Sequence, residues 1–323
     1  MRTRLFINEV APRDGLQMEA AFVPTEVKVA FINALSDCGF DRIEATAFVS
    51  PRAIPALRDA EVVMGQICRV PGVTYTALVP NLRGMERAIE SRTDELNLVM
   101  SCSESHNRAN LGMSREHSLG QILEIVRQAA LNRTQCNVSL STAFGCPFEG
   151  NVDQQEVVRF ADILMQGGAA GVTLCDTTGM ADPAQIKRWI LALGGVVPDP
   201  SLTIHLHNTR GMGLANALAA LESGVSRFDA SCAGLGGCPY APGASGNVSS
   251  EELVHMLICM GFETGVDLSR LLKVAASAGD VVGREVVNQL VAAGSRTRLH
   301  PLPLATQSAE STHSTPIDGS LEA

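Results

Sequence analysis

The run His205-Leu206-His207 sets two imidazoles two residues apart. In an extended strand alternate side chains leave on the same face, so both rings point the same way. Two such histidines are half of a divalent-metal site or, equally, a hydrogen-bonded pair in a core. A second fragment is Arg13-Asp14-Gly15. A carboxylate such as Asp14 is a hard oxygen donor for a divalent cation, and a neighbouring guanidinium can polarise a carbonyl or hold an enolate. Alone, that tripeptide reads just as well as a solvated turn. The third fragment runs from Gly234 to Asn247, GLGGCPYAPGASGN, where the glycines let backbone approach a ligand. Cys238 sits in its middle, a thiol that a mobile loop could close over substrate as a proton donor, and Asn247 offers a neutral oxygen. Asp14, His205, His207 and Asn247 together make a two-nitrogen, two-oxygen set. Such a set suits Mg2+ or Mn2+, and Zn2+ fits it as well.

Residues on distant parts of a chain meet in this way only if a scaffold gathers strand ends at one face. Eight apolar segments read as strands: 5–10, 42–48, 74–80, 95–100, 137–144, 171–177, 202–208 and 227–234. Most are 20 to 40 residues apart, with amphipathic stretches between them. Alternation of strand and helix implies parallel pairing, and a count of eight favours a closed (β/α)8 TIM barrel over an open doubly wound sheet. No GxGxxG follows the first strand, which weakens a dinucleotide-binding reading. Thr25 is expected to cap the first helix, over 26–38, and Pro183 after Asp182 to open a later one. Residues 249–292 read as additional C-terminal helices, a cover for a barrel end or a subunit contact. The barrel domain is expected over 1–295. The Pro/Ser/Thr-rich remainder, 296–323, reads as a disordered tail.

Bulk composition agrees. With 323 residues, 46% hydrophobic and 18% charged, the chain can bury a large core, and its aromatic content of 4% leaves that core to aliphatic residues. A net charge of −9 without a basic tract argues against nucleic acid as a partner. Nine cysteines with no CxxC pair suit a reducing cytoplasm rather than a disulfide framework. The first strand begins too early to leave room for a signal peptide, and no apolar segment is long enough to span a bilayer, so no membrane association is expected.

The chain resembles the 3-hydroxy-3-methylglutaryl-CoA lyase family. Five segments carry the likeness: APRDGLQ (11–17), IEATAFVSP (43–51), FGCPFEG (144–150), HLHN (205–208) and GLGGCPYAPGASGN (234–247), within residues 5–265. The last is the most specific. Related barrel acyltransferases of the isopropylmalate synthase type share the Arg-Asp and histidine pairs but are not expected to carry the cysteine loop. The resemblance implies a metal-dependent carbon–carbon lyase that splits an acyl-CoA into acetyl-CoA and acetoacetate, as in leucine catabolism. It implies Asp14, His205, His207 and Asn247 as ligands of the divalent metal, Arg13 as the enolate-stabilising group and Cys238 as the loop thiol in proton transfer. Glu44 matches an active-site carboxylate, and Glu9 and Gln17 match positions near metal and substrate. His205 and Asp14 both remain candidates for the base. A homodimer is plausible for the family.

Three further features bear on substrate. Asn107 and Arg108, after the fourth strand, could meet the CoA phosphates or simply belong to an exposed polar loop. Asp176 and Thr178, at the end of the sixth, could orient substrate. Arg210 departs from the animal pattern, in which an aspartate and a Tyr-Gly-Gln stretch follow the histidine pair. It is either a specificity charge or a surface ion pair, and it leaves open a longer or differently branched 3-hydroxyacyl-CoA as substrate. An inactive metal- or CoA-binding scaffold is the non-enzymatic alternative.

Overall fold

The computed structural model describes residues 4–237 and 246–300. Cys238 and most of the expected tail lie outside the described residues. The described residues up to Ala293 form one compact unit, and those from Gly294 on belong to a second.

In the first unit all eight expected strands form, and they close into a parallel barrel in chain order. They are β1 (Phe6–Glu9), β2 (Arg42–Ala47), β3 (Thr74–Leu78), β4 (Glu95–Ser101), β5 (Gln135–Ser141), β6 (Gly171–Asp176), β7 (Leu202–Leu206) and β8 (Arg227–Ala230). Closure comes from β1 pairing with β8, with Asn8 opposite Asp229. The helices are α1 (Thr25–Ser36), α2 (Ala60–Gln66), α3 (Leu82–Glu90), α4 (Glu104–Leu111), α5 (Arg115–Leu131), α6 (Gln154–Gln166), α7 (Pro183–Leu193), α8 (Gly213–Glu222), α9 (Ser250–Cys259), α10 (Leu268–Ala276), α11 (Ala278–Val282) and α12 (Gln289–Ala293). Of the C-terminal segment, α9 is the helix that follows β8. The ones beyond it are additions, and α10 packs against α9 and α1.

Alternation along the strands separates two interiors. One set of residues, such as Ile7, Ile43, Tyr75, Leu96, Val138, Leu174, Ile204 and Phe228, is buried in the apolar core. The other set fills the barrel with polar groups. Arg42 pairs with Glu95 at 2.8 Å, Asn137 donates to Thr173 Oγ1 at 2.9 Å, and Arg227 donates to Asn8 Oδ1 at 3.1 Å. Barrels commonly fill this space with branched apolar side chains. Here it is a hydrogen-bonded lattice, so polar residues near the strand ends are held in place from below.

Helix starts follow from local capping. Asn81, Ser103, Ser114, Asp153, Asp182, Ser249 and Asp267 each accept a backbone N–H of the first turn, an interaction of about 1 kcal/mol apiece. Asp182-Pro183 opens α7 as expected. Thr25 does not cap α1. It is the first helical residue, and its hydroxyl donates to Asp59 Oδ2 at 2.7 Å. Pro24 occupies the cap position without a side-chain bond, and its fixed φ suits the entry into α1.

Candidate active site

Arg13 and Asp14 lie on one wide π-turn, Ala11–Gly15, directly after β1. The carbonyl of Val10 accepts from Asp14 N at 2.7 Å, and such turns often mark functional sites. Gly15 permits this turn to press against the segment after β8: a Cβ there would sit 2.9 Å from Leu235 Cβ. Arg13 Nη1 donates to Asp14 Oδ1 at 2.5 Å, and Arg13 Nε lies 3.6 Å from Glu44 Oε2. Glu44 precedes an irregularity in the β2–β3 register. Its other oxygen accepts from Asn97 Nδ2 at 2.7 Å, and Asn97 is held in turn by Asn137 and Ser139.

His205 in β7 and His207 just past its end point the same way, as extended backbone at this spacing requires, with their Nε2 atoms 3.1 Å apart. Asp14 Oδ2 stands 4.0 Å from each. His205 Nδ1 faces Asp229 Oδ2 at 3.2 Å, and Asp229 Oδ1 accepts from Asn8 Nδ2 at 2.8 Å. Asp229 was not among the sequence-derived candidates. Its signal was two charged residues, Arg227 and Asp229, at alternate positions of an otherwise apolar strand.

Asn247 arrives by a different route. The segment returning from the glycine loop pairs back onto the barrel mouth. Val248 N donates to Leu206 O, Asn208 N to Gly246 O, and His207 bridges Asn247. The Asn247 amide donates to Asp14 Oδ2 at 2.8 Å and to Leu235 O at 3.0 Å. Gly236 must be glycine here. Its φ is +122°, and a Cβ would lie 2.5 Å from Asn247 Nδ2 and 3.4 Å from Asp14 Oδ2.

These groups fit a divalent cation. Ligand atoms of Asp14, His205 and His207 lie within 4.8 Å of one another. The separations of 3.1, 4.0 and 4.0 Å leave a point about 2.2 Å from all three atoms, the length of a metal–nitrogen or metal–oxygen bond. Asn247 Oδ1 is buried without a hydrogen-bond partner, as an oxygen awaiting a cation would be.

Electrostatics divide the roles. Burial would raise the Asp14 pKa, but Arg13, His205 and His207 outweigh it and hold the carboxyl below its usual value. Burial, reinforced by His205, pushes His207 down to about 4, so it stays an unprotonated ligand. Burial would also lower His205, yet the hydrogen bond to Asp229 and the charge of Asp14 prevail and raise it. Burial raises Glu44 despite Arg13.

A cavity of about 910 Å3 opens above these residues, lined also by Gln17, Ser139, Cys175, Thr177 and Gly237. Gln17 Oε1 is buried and unpartnered. Several expected substrate contacts do not reach this cavity. Asn107 is fully buried, accepting from Ser101 N and donating to Met113 O and Ser118 Oγ, so its amide braces the loop before α5. Arg108 pairs at the surface with Glu104 at 2.7 Å. From α4 it is His106, Asn110 and Leu111 that line the cavity. Asp176 accepts from Met180 N and Ala181 N, tying the turn after β6, and burial lifts its pKa to about 6. Thr178 is buried with Oγ1 unpartnered, and its neighbour Thr177 faces the cavity instead. Arg210 donates to the carbonyls of Thr178 and Gly179, so it clamps that same turn. For Asn107, Asp176 and Arg210 the polar group bonds to backbone, whereas Arg108 pairs with a side chain on its own helix.

A parallel eight-stranded barrel with a two-histidine, one-carboxylate cluster at the C-terminal strand ends is a (β/α)8 enzyme with a candidate divalent-metal site. A family model described as HMGL-like matches residues 4–277. The hydroxymethylglutaryl-CoA lyase of Bacillus subtilis is 44% identical over 281 residues, covering 87% of this chain and 94% of its own. The mitochondrial enzyme of Gallus gallus is 40% identical over 293 residues, covering 91% and 98%. A solved structure of an HMG-CoA lyase from Acinetobacter baumannii, in complex with coenzyme A and 3-methylmalate, shares 47% identity and a TM-score of 0.90, with 93% of this chain and 98% of that chain covered. The chain belongs to the hydroxymethylglutaryl-CoA lyase family.

Proposed function

We propose that this enzyme cleaves 3-hydroxy-3-methylglutaryl-CoA into acetyl-CoA and acetoacetate with Mg2+ or Mn2+ bound at Asp14, His205, His207 and Asn247. The carrying observation is the convergence of Asp14 and both histidines beside Arg13 at the floor of a substrate-sized cavity. When bound, the divalent ion supplies Lewis acidity that lowers the pKa of the tertiary hydroxyl and orients the substrate. The base is His205 or Asp14: Asp229 orients His205 through Nδ1, and Arg13 holds Asp14 ionised. Arg13 offsets charge on the thioester enolate as the carbon–carbon bond opens. Glu44 and Asp14 flank its guanidinium and keep it aimed. For the last step the reading assigns enolate protonation to Cys238. Its support is the loop sequence and the adjoining Gly237, which lines the cavity. The unpaired state of the eight described cysteines supports a reducing, cytoplasmic setting. Among the described residues no helix is long and apolar enough to cross a membrane.

The test is release of acetyl-CoA and acetoacetate from the thioester with Mg2+ or Mn2+ and a reductant, beside an EDTA control. Chelator-sensitive release is expected. Full activity in metal-stripped protein would overturn the metal role, and silence with metal bound would overturn the acyl assignment.

A further inference from the structure

The cavity has a rim as well as a floor, and the chemistry above uses only the floor. We propose that Arg58, stacked on Phe22 at this rim, is the subsite for the phosphate groups of the CoA nucleotide. The inference rests on the reading of the substrate as a CoA thioester.

Among the described residues that line the cavity, Arg13 and Arg58 are the only arginines or lysines. Arg13 is engaged with Asp14 and Glu44. The other charged groups near the rim are neutralised locally. Lys28 is buried and donates to Asp59 Oδ1 and Ala56 O, both at 2.6 Å. Glu19, which lines the same rim, is held by Arg284 at 2.6 and 2.9 Å. Arg58 is exposed, and no carboxylate pairs with it among the described residues. Among the described residues its one hydrogen bond is a long 3.4 Å contact to Pro55 O.

The guanidinium is nevertheless held in place. Its carbon lies 3.6 Å from the Phe22 ring centroid, and the Lys28 ammonium lies 4.2 Å from the same centroid. A stacked guanidinium keeps its N–H edge free, and that planar fork matches a phosphate better than a flexible ammonium does. The cavity also carries an apolar patch, in which Val49, Ile54, Leu78 and Val99 pack together. A buried charged cluster, an apolar patch and an exposed cation on one cavity supply the three kinds of contact that a CoA thioester needs. Its matching groups are the acyl carboxylate, the uncharged pantetheine arm and the phosphates.

The experiment compares wild type with Arg58→Gln and Arg58→Lys on two substrates, the CoA thioester and the same acyl group on pantetheine. Binding of free CoA is measured by calorimetry alongside. For Arg58→Gln we expect KM for the CoA thioester and Kd for CoA to rise together by about tenfold, one charge-assisted contact, with kcat changing less. Arg58→Lys should recover part of this. On the pantetheine thioester the three proteins should agree. Unchanged KM and Kd would overturn the proposal. So would an equal loss on the pantetheine thioester, which would assign Arg58 a structural role through Phe22. If wild type turns over neither thioester, the lyase reading fails, while the Kd for CoA still decides the role of Arg58.

Discussion

Two buried acidic clusters lie on either side of β1. In the first, Asp14 and Glu44 surround Arg13, and Asp229 faces His205. In the second, Glu9 and Glu251 lie beneath the stem of the glycine loop with no cation pairing with either among the described residues. Glu9 accepts from Ala11 N, Cys232 N and Ser250 Oγ. Glu251 accepts from Ala233 N and Asn288 Nδ2. Carboxylates largely withdrawn from water thus meet opposite fields, although Glu9 and Glu251 are buried more completely than Asp14. Asp14 is held below its usual pKa, whereas burial carries Glu9 up to about 8 and Glu251 to about 7. Burial raises Glu9, Glu251 and even Glu44 beside Arg13, and Asp14 escapes it because Arg13 and both histidines together outweigh burial.

The sharpest way to break this contrast is at Asp14. Asp14→Asn keeps the shape but removes the charge that Arg13 and both histidines share. Turnover is expected to fall on the order of 10^3-fold, and the far-UV circular dichroism should stay that of wild type. Near-normal turnover would mean that the first cluster is no more functional than the second. A smaller effect is expected one step out. Asp229→Asn removes the charge and one of the two acceptor oxygens that serve His205 Nδ1 and Asn8 Nδ2, and such supporting carboxylates typically set metal affinity by about 10- to 100-fold. Equilibrium dialysis with Mn2+ reads this without turnover, and an unchanged affinity would make Asp229 part of the barrel lattice alone.

How far the sequence foretold this depends on what each residue bonds to. The strands were legible because each is an apolar run set off by polar or glycine-containing ends, and their number left a closed barrel as the natural solution. The histidine pair was legible because strand geometry converts a spacing of two into a shared face. Arg13 and Asp14 became meaningful only in combination, since nothing local announces the π-turn that aims them. Asn107, Asp176 and Arg210 misled for one reason: each stands near a strand end, but their partners include backbone atoms that a sequence does not display. Asp229, Asn97 and Ser139 went unread although their alternation with apolar neighbours in RFDA, ELNLVMS and QCNVSLS marks them as facing the barrel interior.

The smallest expected effect tests the second cluster, where Glu9→Gln imitates the protonated acid. The glutamine oxygen can accept from Ala11 N and Cys232 N as Glu9 Oε1 does. Its amide can donate to the Ser250 hydroxyl, whose oxygen can accept as well as donate. The folded pKa of about 8 lies above the unfolded value of about 4.3, so the fold binds the proton more tightly than the unfolded chain does. The stabilising contribution of Glu9 is therefore complete below the unfolded pKa and is lost as pH rises towards the folded one. Glutamine has no proton to lose. Relative to wild type, Glu9→Gln should be neutral below about pH 4 and gain a few degrees in Tm by about pH 8, measured in parallel thermal melts. Asp14 predicts the opposite slope for its own cluster, since its folded pKa is depressed and its contribution is lost as pH falls. Parallel melting profiles for wild type and Glu9→Gln would show that Glu9 is ionised in the fold, and the two clusters would then differ in position but not in electrostatic kind.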